Sequence, residues 1–171
     1  MKALNFLFKT ENEVSSLLLR LVLGVVFFPH GAQMVLGWFG GYGFSGTMGF
    51  FTGTLHIPTP LAFFAIASQF ACAIALILGL FTRLAALGIA VNMLIAVVMV
   101  HAQYGFFMNW YGNQKGEGFE YHLLAIGIAI VLVLRGGGKL AADTAIGDSL
   151  RAAEIEPRNR LAPEPHTAGR S

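Results

Sequence analysis

The chain has 171 residues, of which 56% are apolar and 12% charged, and a formal net charge of +2. That leaves too little polar surface to cover a water-soluble globule of this length, and a soluble helical protein would show polar stripes that the apolar runs here lack. The few arginines are interleaved with acids, which excludes a nucleic-acid-binding module. The lone Cys72 excludes an intramolecular disulfide and a CxxC redox pair, and fits a small packing residue.

Four apolar runs, 17–36, 61–80, 84–102 and 119–135, are each close to bilayer thickness. A helix rising ~1.5 Å per residue needs roughly 20 residues to cross ~30 Å of hydrocarbon. The fourth is short, and aromatic flanks at headgroup level extend it. No small-residue cleavage site follows the first run, so an uncleaved helix is expected rather than a signal peptide. If the helices alternate, Lys2, Lys9, Arg20, Arg83, Arg135, Lys139, Arg151, Arg158, Arg160 and Arg170 fall on one side, and only Lys115 on the other. The positive-inside rule then places both termini in the cytoplasm and the 37–60 and 103–118 loops outside. The expected fold is all-α: an integral membrane four-helix bundle, N-in and C-in, formed by residues 1–150.

Between the first two spans, glycines alternate with Trp38, Phe39, Tyr42, Phe44, Phe50 and Phe51, a pattern suited to the membrane interface. A short interfacial helix is predicted over 45–55, with Ser45 as N-cap. The segment has neither a GxxxxGK[ST] motif nor a Lys or Arg, so it is no phosphate cradle. Pro58 and Pro60 start the second span, Gly79 closes it in a left-handed cap, and Thr82 caps the third. The intervening turn is so short that the second and third helices must be antiparallel neighbours. Tyr104, Phe106, Phe107, Trp110 and Tyr111 repeat the aromatic pattern in the second outer loop. Gly136 to Gly138 end the fourth span. The segment 151–171 mixes charge, Pro and Ala without hydrophobic periodicity and is expected to be a disordered cytoplasmic tail.

Ionisable groups inside a bilayer are costly, so those that persist are functional candidates. On alternating helices, His30 and Gln33 on the first, His101 on the third, and Glu120 and His122 on the fourth fall in one outer layer. Trp110 and Tyr121 lie close by, and Gln69 and Asn92 extend the layer inward. Imidazoles and a carboxylate at a lipid–water boundary can accept and release protons, as reduction or oxidation of a quinone head group requires. In this reading Glu120 and His101 exchange protons. His30, Gln33, His122 and Gln69 position the head group, and Trp110 and Tyr121 line it. Metal or haem ligation by two of the three histidines is the competing chemistry, but no motif such as HxxxH supports it. Each residue also has a structural reading. Arg20 snorkels to phosphates or pairs within the bundle. Gln69 and Asn92 hydrogen-bond between helices, Pro29 kinks the first helix, and Gly24, Gly79, Gly88 and Gly127 permit close helix contact.

The sequences Arg20-Leu-Val-Leu-Gly24, Phe28-Pro-His30-Gly31, Gly37-Trp-Phe-Gly-Gly-Tyr-Gly43, Gly79-Leu-Phe-Thr-Arg83 and Gly118-Phe-Glu120-Tyr121 together resemble the bacterial DoxX family over about 15–145. The resemblance implies a four-helix inner-membrane protein with cytoplasmic termini. It also implies redox functions, such as subunits of terminal quinol oxidase and of thiosulfate:quinone oxidoreductase. Where relatives commonly carry an acid in the second helix, this chain has Gln69, which leaves the ionisable set on helices one, three and four.

The function expected is therefore a redox-associated membrane subunit binding a quinone or similar lipophilic molecule in the outer half of the bundle. It would work with a protein partner or as a homo-oligomer, since no covalent cofactor motif is present. The alternatives are a non-catalytic scaffold or assembly protein, in which the same residues form a structural polar network, and then a small-solute or lipid transporter.

Overall fold

The computed structural model describes residues 6–10 and 13–160, with side chains through 153; the remainder of the predicted tail, 161–171, lies outside the described residues. The described residues are helical and contain no strand. Helix α1 spans Val14–Leu36, a short α2 spans Gly43–Gly49, α3 spans Thr59–Leu78 and α4 spans Thr82–Ala96. They are followed by α5, Glu120–Arg135, and α6, Ala142–Arg160, which carries helix ten residues into the segment expected to be a tail. A π-turn, Val97–His101, and a 3-10 turn, Ala102–Tyr104, prolong α4. With that extension, α1, α3 and α4 are each long and apolar enough to cross a membrane. The 16 residues of α5 reach about 24 Å at about 1.5 Å per residue.

Helix ends follow the expected backbone chemistry in several places. Pro58 precedes α3 with Pro60 in its first turn, and Gly79 closes it in the left-handed region (φ 67°, ψ 34°). Gly37 ends α1 in the same way, and Gly136 follows α5 with φ 85°. Two expected caps are corrected. The short helix expected at the interface starts at Gly43, so Ser45 lies inside it rather than at its N-cap, and a π-turn, Phe50–Thr54, finishes it. Thr82 makes no capping bond to its own helix. The α4 N-terminus is capped instead from 61 residues downstream, by Asp143, whose carboxylate accepts from the Phe81 and Thr82 backbone N–H groups at 2.6 and 2.8 Å. A carboxylate suits both the orphan donors and the positive end of the helix dipole. Asp143→Ala should therefore lower stability by about 2 kcal/mol, read as a fall in the unfolding midpoint of the detergent-solubilised protein.

Inward faces are set by size more than by polarity. On α1 the buried positions include Arg20, Leu23, Gly24, Phe27, Gly31 and Ala32, at helical spacing, while Leu18, Val22, Val25 and Val26 are exposed. On α3 the buried set is Ala62, Ile66, Gln69, Ala73 and Leu76. Small residues let the backbones approach: a Cβ on Gly31 would lie 2.6 Å from Phe70 Cα, and one on Gly24 would lie 3.0 Å from the Ala73 carbonyl oxygen. Gly88 faces Cys72 Sγ, which agrees with the packing reading of both residues. Gly127 is the exception, since a Cβ there would meet nothing within 4 Å. Helix α1 packs on α3 and α5, and α4 packs on the same two helices. Leu23, Phe27, Ala73, Leu76, Ala86, Ile89, Ala129 and Leu132 are among the residues of the shared core.

At the basic end, two arginines act as helix terminators. Arg20 does not snorkel; it is 2% exposed and its guanidinium is turned inward. It donates to the Leu76 and Ile77 carbonyls at the end of α3 (3.0 and 2.6 Å) and to the Gly137, Lys139 and Leu140 carbonyls after α5 (2.9, 3.2 and 3.0 Å). The last carbonyls of a helix have no partner within it, and a planar five-donor fork can serve several at once. Arg83 does the same for α5 through the Val133 and Leu134 carbonyls, and also donates to Lys9 O at 2.8 Å from Nη2. The Arg135–Glu13 ion pair at 2.7 Å joins this end to the start of α1.

Candidate functional site

The other end of the helices holds the sequence-predicted polar residues, in separate groups. His101, at the end of the π-turn, and His122, in the first turn of α5, have ring centroids 4.1 Å apart. His101 Nδ1 lies 2.8 Å from the Glu117 carbonyl oxygen. A carbonyl can only accept, so Nδ1 carries the proton; in the neutral ring Nε2 is then the acceptor. His122 is 6% exposed, and its Nδ1, like the Tyr121 hydroxyl, is buried without a hydrogen-bond partner among the described residues. Tyr121 stacks on Phe27 at 6.0 Å, and Phe27 also lies 6.4 Å from the ring of His30, which links two predicted residues through one aromatic core side chain. Glu120 accepts from Trp110 Nε1 at 3.3 Å, and Trp110 is among the most exposed side chains. Gln33 is occupied locally, donating to Phe39 O at 3.2 Å across the turn that leaves α1.

Gln69 and Asn92 meet between α3 and α4. Asn92 Nδ2 donates to Ser68 Oγ at 2.9 Å, to Ala65 O at 3.1 Å and to Gln69 Oε1 at 3.3 Å. The interhelical pairing expected of these amides is therefore present. They also edge a cavity of about 240 Å³ whose other walls are apolar, with His101 among its lining residues. Of the predicted site residues, Gln69 and His101 line this cavity; His30, Gln33, Trp110, Glu120, Tyr121 and His122 do not. Among the described residues no three His, Cys, Asp or Glu side chains converge to hold a metal ion.

Met34 and Met99 form apolar walls that sequence reasoning did not single out, together with Phe50 and Phe51, which it read only as rings suited to the membrane interface. The interfacial helix contributes Phe50 and Phe51 through one π-turn, and α4 contributes Met99 and His101 through another. Such turns widen a helix locally and recur at functional sites. The visible signal was the aromatic doublet Phe50-Phe51 in a glycine-rich segment, which pointed to the interface without indicating what it covered.

Comparison with known proteins gives a consistent picture. The family model described as DoxX matches residues 15–102, ending before α5. A curated protein of Bacillus subtilis (strain 168), named "Putative oxidoreductase CatD", is 30% identical over 131 residues, covering 77% of this chain and 86% of that protein. No solved structure matches the chain.

Proposed function

Because the chain belongs to the DoxX family of membrane proteins, we propose that it is a redox-associated subunit of the bacterial inner membrane that binds a quinone or a similar lipophilic molecule. In this reading α5 is a fourth crossing, with Phe119 just before it and Tyr121 in its first turn as aromatic residues at its outer end. Lys9, Arg20, Arg83, Arg135 and Lys139 mark the cytoplasmic end, and both termini lie there.

The cavity carries the proposal. Its apolar walls with two amides and one imidazole match a flat ring that offers carbonyl or hydroxyl oxygens at its edge. Gln69 Oε1 is engaged by Asn92, which leaves the Gln69 amide nitrogen as donor to a ring oxygen. His101 Nε2 takes a proton from a hydroxyl or, once protonated, returns it. His122 lies against the His101 ring, and Glu120, which accepts from Trp110, exchanges the proton with water. A bound quinol supplies two protons and two electrons. The chain's residues handle the protons, and a partner protein takes the electrons. The name of the Bacillus relative, as an oxidoreductase, supports redox chemistry.

Lipid extracted from the purified protein should contain quinone well above the content of an unrelated four-helix membrane protein prepared identically. Equal content would defeat the reading. One observation favours a second reading, a non-catalytic scaffold: Asn92 already finds partners in Ala65, Ser68 and Gln69, as a purely structural network would. A scaffold predicts that substituting these residues lowers stability or partner recovery and leaves quinone content unchanged.

A further inference from the structure

A second and larger concavity, about 700 Å³, runs along the outer surface of the α3–α4 pair. Its walls are apolar along most of their length, with Leu61 and Phe64 on α3 and Leu84, Leu87 and Val91 on α4. From Leu84 to Met99 it follows about 22 Å of helix at about 1.5 Å per residue. Gly88 keeps the floor low beside Cys72, since a Cβ there would come within 2.8 Å of the thiol sulfur. Ser68 and Asn92, its polar members midway, are already hydrogen-bonded to one another at 2.9 Å.

The groove and the 240 Å³ cavity adjoin, with Ile57, Ala65, Asn92, Ile95 and Met99 lining both. The amide of Gln69 and the imidazole of His101 line the cavity only, while the groove, with His56 at one end and Ser68 beside the shared Asn92, is otherwise apolar along its length. Resting on the head-group reading above, we infer that the groove holds the isoprenoid tail of the same molecule whose ring occupies the cavity, so the protein selects long-tailed quinones. A second copy of the chain would also bury the groove, but would have no reason to share a wall with a polar-edged cavity. The shared wall is what commits the groove to a ligand tail.

The test uses the full chain in detergent micelles and two probes, 2,3-dimethoxy-5-methyl-1,4-benzoquinone and the same ring bearing a geranyl chain. Binding is read by equilibrium gel filtration and corrected for partition into empty micelles. Wild type should bind the geranyl probe at least about tenfold more tightly than the tailless ring, because the groove walls add close van der Waals contacts to the tail that a fluid micelle interior does not offer. Val91→Trp fills the groove from a lipid-facing position and should erase that preference while leaving the tailless affinity unchanged. Leu87→Trp, also exposed, should do the same and guards against misfolding of the first variant. If both variants keep the tail preference, the groove assignment is overturned and the head-group reading stands. If wild type binds neither probe, the head-group reading falls and takes this inference with it.

Discussion

Arg20→Leu should destabilise the protein by about 3–5 kcal/mol, the largest effect expected of any single substitution in this chain. The side chain is 2% exposed and donates to five carbonyls on two segments, the end of α3 and the loop after α5. Leucine preserves much of the volume and removes every donor. Each buried carbonyl left without a partner costs about 1–3 kcal/mol, and relaxation of the 137–140 loop recovers only part of the total. The measurement is equilibrium unfolding of the purified protein in mild detergent mixed with increasing dodecyl sulfate. Arg20→Lys should recover less than half of the loss, because an ammonium offers three donors from one point and cannot bridge both segments as a planar fork does. A snorkelling arginine would behave differently: lysine would substitute fully and leucine would cost about 1 kcal/mol or less.

His101→Ala should lower quinone retention by at least about tenfold, equivalent to about 1.4 kcal/mol. This ring combines three properties: it lines the cavity, its Nδ1 is fixed by the Glu117 carbonyl, and it touches the ring of His122. Gln69→Leu should lower retention to a similar degree by removing the amide donor at the opposite edge. His30→Ala is the control. His30 is exposed and does not line the cavity, so quinone content should stay within about twofold of wild type, below about 0.5 kcal/mol. Retention that falls equally for all three variants would mark a general loss of packing instead of a site.

The transmembrane segments were readable because a bilayer imposes a minimum apolar length, and 17–36, 61–80 and 84–102 lie within a few residues of the observed helices. Several helix ends were readable for a similarly local reason: Gly79 and Gly136 adopt positive φ, and a proline in the first turn, as at Pro60, sacrifices no helical hydrogen bond. The inward faces were not readable. With lipid outside and protein inside both apolar, Val22 and Leu23 differ in burial without differing in kind, and only the small or polar residues betray the packed face. The role of Arg20 was hidden because its partners are main-chain carbonyls, which leave no trace in residue identity. Asp143 was missed because its cap acts across 61 residues. Of the residues expected in one polar layer, the structure pairs His101 with His122 and Trp110 with Glu120, and bonds Gln33 to Phe39 O. Alternating helices fix depth and leave rotation open, so the division between residues that line the cavity and residues that do not could not be foreseen. The two π-turns that shape its walls have no recognisable sequence signature.

The arginine fork at the basic end also imposes an order on synthesis. Three of the carbonyls that receive Arg20 belong to residues 117 to 120 positions further along the chain. At roughly 5–20 residues per second, the first helix waits about 6–24 s in the membrane before those acceptors exist. Until then the charge on α1 has at most the two carbonyls at the end of α3, and water, lipid headgroups or the insertion machinery must serve its other donors. The full clasp, which ties the end of α3 to the loop after α5, forms only after α5 has been released, so the last apolar segment to be made locks the first.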